Sequence, residues 1–160
     1  MSKPDLSIVG GRLRDLGYAG QIADMNPAVI QSLTNEAATA IDFGVAVARG
    51  AADDTCKAPA ADGDKIIGIS VRHAIRPADA ANNVTYAQRD SVPILREGFV
   101  YAVALENAVR GDGVISVTAQ SGKLGSTTGG AAAAGRVAVP GALWETTTTA
   151  TQIGVIRING

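Results

Sequence analysis

The strongest constraint on the fold of this 160-residue chain is a set of short segments in which apolar and smaller or polar residues alternate. The first clear segment contains Ile41, Phe43, Val45 and Val47. A period of two puts every second side chain on the same face, as in a half-buried β-strand. Further runs of this kind lie at 67–71, 84–87, 92–94, 99–105, 114–119, 137–139 and 153–158. With glycine, aspartate and proline between them, they predict about seven to nine strands in an all-β fold, a jelly-roll-like β-sandwich or barrel.

The composition limits what such a fold can bury and bind. Hydrophobic residues make up 46% of the chain, but aromatic residues only 4%, so the core consists of small and β-branched side chains. Such a core gains less from burial per residue, and we expect extra stability from self-association or from a partner. The net charge of −1 argues against nucleic acid as a partner. The chain lacks the run of ~20 apolar residues that a membrane helix needs, so we expect no membrane partner.

The first 40 residues lack this alternation. Residues 1–25 contain several glycines and charges of both signs, which indicates either a flexible terminus or an extended arm that becomes ordered on another subunit. Asn26 and Pro27 predict the cap and first turn of a short helix that runs through Leu33. We therefore divide the chain into an irregular N-terminal arm with a possible short helix (1–40) and a β-sandwich body (41–160).

Catalytic motifs in the body are incomplete. The segment Gly68–Arg72 begins like a nucleophile elbow but lacks the final glycine. Ser70 and His73 are three residues apart on a predicted strand and would point to opposite faces, so we interpret Ser70 as solvent-facing and His73 as a surface residue. The Gly122-Lys123 pair lacks the flanking residues of a phosphate-binding loop, and a turn is the expected structure there. These patterns predict no enzymatic activity and no cofactor.

An acidic loop and a single cysteine are the other candidates for chemistry. Asp53, Asp54, Asp62 and Asp64 could supply oxygen ligands to calcium, but the spacing of a known calcium loop is absent. We favour a solvated acidic loop and expect no bound metal. Cys56 is the only cysteine, which excludes an internal disulfide, and we interpret it as a loop thiol.

Three further features of the body predict where particular residues lie in the fold. Trp144 precedes the threonine-rich run 146–149, and a tryptophan near a loop can pack in the core or anchor an interface. Pro93 predicts an edge position for its strand, because proline cannot donate a ladder hydrogen bond. Residues 120–135 have low complexity and predict a long surface loop.

The order of several motifs resembles the cement, or decoration, proteins of tailed-bacteriophage capsids. The motifs are Gly20–Asp24, Asn35–Ala38, Ile41–Val47, Ile66–Arg72, Val92–Tyr101, Ala108–Gly113, Gly141–Trp144 and Ile153–Ile158. Each motif alone is unspecific, and the resemblance depends on their order over residues 20–158. The alanine-rich segments 51–61 and 127–135 depart from the family pattern.

The resemblance implies a structural protein on the outer surface of the virion capsid, present in the host cytoplasm during assembly. Such a protein bridges copies of the major capsid protein and resists the pressure of packaged DNA. The implied partners are the major capsid protein and further copies of the chain. Closed symmetry favours a homodimer or a homotrimer, and of these two we expect the homodimer. The resemblance implies no catalytic motif and no cofactor.

We expect the arm to make capsid contacts, because it shows no fold of its own. The candidate contact residues are Arg12, Arg14, Leu16, Tyr18 and Ile22. An arm of ~20 residues can span up to about 70 Å when extended, and many weak contacts add up to high avidity.

Two other functions stay open at this point. The first is a phage tail or receptor-binding β module with carbohydrate-binding activity, which would bind glycans and not phage heads. A small hydrolase with an acidic site is disfavoured by the single histidine and the few aromatic residues. Co-sedimentation with capsids distinguishes the cement role from these alternatives.

Overall fold

The described residues form nine β-strands, and the prediction of an all-β sandwich or barrel is confirmed. The computed structural model describes residues 17–24, 26–73, 84–127 and 133–160, and these residues contain no α-helix. The strands are β1 (Val29–Asn35), β2 (Ala46–Arg49), β3 (Thr55–Lys57), β4 (Ile66–Ser70), β5 (Ser91–Val103), β6 (Gly113–Val117), β7 (Lys123–Ser126), β8 (Arg136–Trp144) and β9 (Ile153–Ile158). A turn of 3-10 helix, Thr118–Gln120, connects β6 to β7. Within these residues, no helix has the length and apolar character needed to cross a membrane.

The first five strands close into a ring, which we call the N-terminal barrel. Their order is β1-β3-β2-β4-β5, and β5 pairs again with β1. The β1–β3 pair is parallel and the other pairs are antiparallel. The barrel has its own hydrophobic cluster: Leu33, Ile41, Val45, Val47, Cys56, Ala58, Tyr86, Val92 and Ile94. Among the described residues, each strand of this ring therefore pairs with two neighbours.

The second half of β5 continues into another sheet, which we call the C-terminal sheet. Its order is β5-β9-β8-β6-β7, and all neighbouring strands are antiparallel. Its last strand, β7, returns to the end of β5 through a parallel bridge between Ala104 and Leu124. The sheet therefore curls round until its two ends meet.

A second hydrophobic cluster joins the barrel to the sheet, and we call it the shared cluster. It contains Ala46 from β2 and Ile69 from β4 as well as Trp144 from β8 and Ile156 from β9. Alanine is its commonest residue type, at Ala46, Ala48, Ala102, Ala104, Ala108 and Ala142. Small side chains allow the two layers to approach closely at normal packing density. Many of the alanines of this alanine-rich chain therefore pack in the shared cluster, between the barrel and the sheet.

Strand β5 is shared by both parts and bends at Gly98. The sequence predicts two separate runs here, whereas the structure has one continuous 13-residue strand. Gly98 has a φ of 129°, which favours glycine, and a Cβ atom there would lie 3.2 Å from the Cβ of Ala28. On either side of the bend, Ile94 lies in the barrel cluster and Val100 in the shared cluster. The bend thus allows one strand to serve two cores.

The predicted helix from Asn26 to Leu33 is wrong, because most of this segment lies in β1. β1 pairs with β5 on one side and with β3 on the other. Leu33 is buried while its neighbours Ser32 and Thr34 are exposed, so burial follows a strand period. A helix cap contributes only about 1 kcal/mol, and pairing with two strands outweighs it. β1 lies upstream of residue 41, the predicted start of the β body.

The prediction that Pro93 lies on an edge strand is also wrong. β5 pairs with β1 on one side and with β4 on the other. The carbonyl oxygen of Pro93 accepts a hydrogen bond from the Val71 amide at 2.8 Å. Proline can therefore occupy an inner strand here, because this bond uses only its acceptor.

The stretch predicted as a surface loop, 120–135, contains ordered structure. It includes β7, whose Leu124 is fully buried. Single-sequence patterns miss this strand because it is only four residues long and begins directly after a glycine. Residues 128–132 of the stretch lie outside the described residues. The run at 84–87 contributes only a bridge between Ile41 and Tyr86.

Candidate functional site

Ser70, the candidate nucleophile, is a structural residue. The prediction that it faces solvent is wrong, because it is fully buried in β4. Its Oγ donates a hydrogen bond to the carbonyl oxygen of Asp42 at 2.6 Å and accepts one from the Val45 amide at 3.1 Å. The hydroxyl therefore connects β4 to the segment before β2. His73 is exposed, as predicted.

Two of the four carboxylates of the acidic loop, those of Asp62 and Asp64, accept hydrogen bonds from backbone amides. Asp64 accepts hydrogen bonds from the Ala60 and Ala61 amides at 2.8 and 3.0 Å, and its other oxygen lies 2.7 Å from Nζ of Lys57. Burial alone would raise the pKa of Asp64, but these contacts hold it below its ordinary value. Asp62 accepts a hydrogen bond from the Gly135 amide at 2.8 Å. In the described ranges, no three His, Cys, Asp or Glu side chains are grouped as metal ligands.

Cys56 is a core residue and not the predicted loop thiol. It lies in β3 with its side chain inside the N-terminal barrel. Burial raises the pKa of its thiol to about 11, and the negative charge of Glu36 contributes to this shift. The thiol therefore stays protonated and packs as a small apolar group.

Trp144 lies in the core, the first of the two positions that the sequence leaves open for it, and not at an interface. Its side chain is fully buried in β8, and its indole Nε1 donates a hydrogen bond to the Gly125 carbonyl oxygen at 3.0 Å. A buried tryptophan needs such an acceptor for its N–H, and β7 supplies it. No part of this side chain reaches the surface for a partner to contact.

Two of the five predicted arm contacts lie within the described residues, and they differ in burial. Ile22 is half-buried, packs against the shared cluster and forms a bridge with Val100 of β5. Tyr18 is 62% exposed. The other three lie outside the described residues: Arg12, Arg14 and Leu16.

Residues 17–24, which we call the anchor segment, are attached to the body by backbone hydrogen bonds. The Gly20 amide donates to the Tyr101 carbonyl, and the Tyr101 amide donates to the Gln21 carbonyl, both at 2.8 Å. The Arg72 amide donates to the Gly20 carbonyl at 2.7 Å. The anchor segment therefore runs beside β5 and also holds the residues that follow β4.

Gly20 is what permits this close approach. Its φ is 78°, in the left-handed region that glycine adopts without strain. A Cβ atom at this position would lie 2.8 Å from the Arg72 backbone nitrogen and 3.0 Å from that of Gly44. The positive φ and the close backbone contacts thus explain why the first residue of the motif Gly20–Asp24 is a glycine.

Arg72 lies against two aromatic rings, and we call Tyr18, Phe43 and Arg72 the arginine cluster. The guanidinium carbon is 5.0 Å from the ring centroid of Tyr18 and 5.8 Å from that of Phe43. Phe43 in turn meets Tyr86 edge-on, with centroids 5.1 Å apart, so one ring of the cluster is fixed to the barrel core. Arg72 and Tyr18 are exposed and Phe43 is half-buried. The cluster therefore presents an ordered cation at the surface.

The charge of Arg72 is not neutralised within the described part of the chain. Arg136 pairs with Glu106, and Nε of Arg157 lies 2.9 Å from Glu145. No carboxylate of the described residues lies within 4.0 Å of the Arg72 guanidinium. A guanidinium has planar donors that match a carboxylate, so the cluster can bind an anionic group from outside the chain.

Two shallow apolar depressions adjoin the arginine cluster. The first is lined by Tyr18, Gln21, Ile22, Val71 and Arg72. The second lies between the barrel and the end of β5 and is lined by Asp42, Phe43, Gly44, Val45, Val103, Ala104, Leu105, Lys123, Leu124 and Thr151. An exposed apolar surface with charged residues at its border is typical of a protein-binding site.

Sequence reasoning identified Tyr18 but missed Arg72 and Phe43 as members of this site. The alternation predicts Phe43 as a strand residue, and Arg72 enters only as the last residue of the incomplete elbow and of the motif Ile66–Arg72. No spacing rule connects these positions, because backbone contacts of Gly20 bring them together. An arginine directly after a strand, with no acidic neighbour in sequence, was the one available signal.

Comparisons with known proteins agree with the resemblance noted in the sequence. A family model described as structural cement protein (E217 gp24/Pam3 gp6) matches residues 9–159. A solved chain described as the capsid of Myoviridae phage XM1 has a similar fold, with a TM-score of 0.70 and 18% sequence identity over 99% of this chain and 98% of that chain. At this identity the likeness concerns the fold alone. No curated protein matches the sequence.

Proposed function

The chain belongs to the family of phage structural cement proteins, and we propose that it binds the outside of a bacteriophage capsid and bridges major capsid protein subunits. The observation that carries this proposal is the family match over residues 9–159, which leaves out only the two ends of the chain. In this role the protein has no catalytic function and stabilises the shell against internal DNA pressure. The alternative of a carbohydrate-binding tail module is not favoured by the family match.

The physical properties of the body suit this role. Two hydrophobic clusters and closed strand pairing make a firm body, which needs no active site to bridge its neighbours. Modest contacts by many copies on one shell give high total avidity. A net charge of −1 limits repulsion between neighbouring copies.

We further propose that free copies form a homodimer in the host cytoplasm before they bind heads. Light scattering of the purified protein can test this oligomeric state.

The arm is the first proposed contact with the capsid. The anchor segment holds its base beside β5, so the residues before it start from a fixed point on the body. Sixteen residues can span up to about 55 Å when extended, which is enough to reach a neighbouring subunit. We propose that Arg12, Arg14 and Leu16 make these contacts together with the exposed Tyr18.

Co-sedimentation with capsids assembled without this protein tests the proposal at physiological salt. The full chain should saturate the heads, and a variant lacking residues 2–16 should bind more weakly. This deletion ends before Gly17, so it leaves the hydrogen bonds of the anchor segment intact. Circular dichroism of the deletion variant provides the folding control.

The outcomes separate the two parts of the proposal. Failure of the full chain to bind heads would contradict the cement role itself. Equal binding by the full chain and the deletion variant would reject the arm as a contact and leave the cement role standing. A matched variant with Arg12→Ala and Arg14→Ala tests whether the two arginines account for the effect of the deletion.

A further inference from the structure

We infer that the arginine cluster is a carboxylate receptor, in which Arg72 binds an aspartate or glutamate side chain of the major capsid protein. The inference rests on the proposed function, because it takes the capsid protein as the partner. It adds the chemistry of the contact and the residue of this chain that determines it.

The first support is that Arg72 is ordered before any partner arrives. Its backbone amide is bonded to Gly20, and its guanidinium lies near the rings of Tyr18 and Phe43. A flexible surface arginine loses rotamer freedom when it pairs, which weakens the contact. A guanidinium already positioned by two rings loses less, so its pairing with a carboxylate is more favourable.

The second support is the chemistry of burial. A partner that covers the cluster removes water from the guanidinium, and no carboxylate of the described residues is within 4.0 Å to compensate. Asp42, the neighbour of Phe43 in the chain, is exposed and is not among the ion pairs of the described residues. An apolar or basic partner would leave a buried, unpaired charge, which is strongly unfavourable. The site therefore selects an acidic side chain.

The third support is the apolar border of the cluster. Ile22 and Val71 line the depression on one side, and Val103, 41% exposed, lines the depression on the other. Apolar contacts around a central charged pair exclude water and thereby strengthen the attraction between the two charges. The partner segment should therefore carry its acidic residue among apolar neighbours.

Binding isotherms on capsids assembled without this protein test the inference. Arg72→Ala should weaken the apparent affinity by at least about tenfold, as loss of a central interface arginine does. Arg72→Lys keeps the charge but loses the planar donors, so its affinity should lie between that of the wild type and that of Arg72→Ala. The matched control is Arg96→Ala, because Arg96 is an exposed arginine that is hydrogen-bonded to Gln31 and lies away from the cluster. The control should bind within about twofold of the wild type.

A salt titration gives a second readout. If Arg72 forms an ion pair, the affinity of the wild type should fall more steeply with salt than that of Arg72→Ala. Equal slopes for the two proteins would argue against a charged contact. Arg72→Gln, which keeps polarity without charge, serves as a second neutral variant should the alanine variant unfold in a thermal melt.

The results also distinguish this inference from the function on which it rests. Wild-type affinity in Arg72→Ala would overturn the carboxylate receptor while capsid binding stands. Wild-type affinity in Arg72→Lys would contradict a contact that depends on the planar guanidinium. Loss of affinity in both Arg72→Ala and Arg96→Ala would show a general charge effect and would also overturn the inference. Failure of the wild type to bind heads would overturn both proposals together.

Discussion

The N-terminal barrel and the C-terminal sheet deal with strand edges in different ways. The barrel closes through an antiparallel register between β1 and β5 that runs from Ile30 to Thr34, with a register shift between Val29 and Ile30. Within the described residues, the sheet closes through the single Ala104–Leu124 bridge, one bond of which runs from the Leu105 amide to the Leu124 carbonyl at 2.8 Å. The barrel has a core of its own, whereas the main cluster of the sheet includes residues of β2 and β4. The sheet therefore depends on the barrel for its packing.

The two parts also differ in how they satisfy buried or partly buried polar groups. In the barrel, Asn35 is fully buried and its Nδ2 donates to the carbonyl oxygens of Thr39 and Tyr86 at 3.0 and 3.1 Å. In the sheet, Glu106 from the loop after β5 pairs with Arg136 at the start of β8, and the Oγ of the fully buried Ser116 has no hydrogen-bond partner among the described residues. The buried amide of Asn35 thus has backbone partners in the barrel, whereas the sheet contains a buried hydroxyl, that of Ser116, without a partner among the described residues.

The largest expected effect comes from Tyr86→Ala in the barrel. Tyr86 is fully buried, packs on Phe43 and donates from its hydroxyl to the Val71 carbonyl at 2.5 Å. Truncation of a buried aromatic residue typically costs about 3–5 kcal/mol of unfolding free energy. Because β5 and the shared cluster link both parts, we expect the sheet to lose stability by the same amount.

Two natural probes measure this coupling in urea titrations. Fluorescence of Trp144 reports on the sheet, and reaction of the buried Cys56 thiol with a thiol reagent reports on the barrel. Both midpoints should fall together in Tyr86→Ala, whereas the control Val109→Ala, at a side chain that is 50% exposed, should change stability by less than about 0.5 kcal/mol. Exposure of Cys56 well before the fluorescence change would show that the barrel unfolds separately.

A pair of buried serines gives the next largest effect. Ser70→Ala removes the acceptor of the Val45 amide and the bond to Asp42, so it should cost about 1–3 kcal/mol. Ser116→Ala removes a buried hydroxyl without a partner, and its stability should be equal to or slightly above that of the wild type. Urea unfolding of both variants checks the contrast. Equal losses in both variants would contradict the difference drawn between barrel and sheet.

The smallest expected effect concerns the charged pair of the sheet. Burial alone would raise the pKa of Glu106, but hydrogen bonds from Arg136 and the Ser126 amide hold it below the ordinary value of 4.5. A lowered pKa means that the pair adds stability above about pH 4.5 and that this contribution is lost as the pH falls through the folded-state pKa. Glu106→Gln should therefore cost about 1 kcal/mol at pH 7 and less at pH 3.

A control at an exposed glutamate isolates this pair from the general effect of charge removal. Glu97 lies exposed on β5, and Glu97→Gln should have nearly wild-type stability at both pH values. Thermal melts of both variants at pH 7 and pH 3 provide the measurement. A constant difference between Glu106→Gln and the wild type at the two pH values would rule out the charged pair as its cause.

The sequence predicted the features that repeat locally. Alternation located the residues around Val45, Ile69 and Ile156 as strand positions, because the in–out burial of a strand has a fixed period of two. The order of motifs led to the correct family. Position within the sheet was less predictable: Ser70, Cys56 and Trp144 are buried because strands distant in sequence cover them.

The candidate site shows the same division. The lack of a repeating pattern around Tyr18 predicts a contact residue of the arm, and Tyr18 is exposed in the structure. Arg72 and Phe43 join it only in the folded chain, where the Gly20 backbone binds both the Arg72 amide, two residues after β4, and the Tyr101 carbonyl of β5. The capsid contacts of the arm stay predictions that the deletion experiment can test.

What the sequence determined by itself is the all-β class, the small-residue core and the family, since composition, periodicity and motif order are all properties of the chain. Only the tertiary structure decided that β5 serves both parts, that residues 29–35 form a strand and that Arg72 lies against two rings. The physical reason is that strand pairing is satisfied by partners far apart in sequence. A local pattern records which face of a strand is buried, but it does not record which neighbour covers that face.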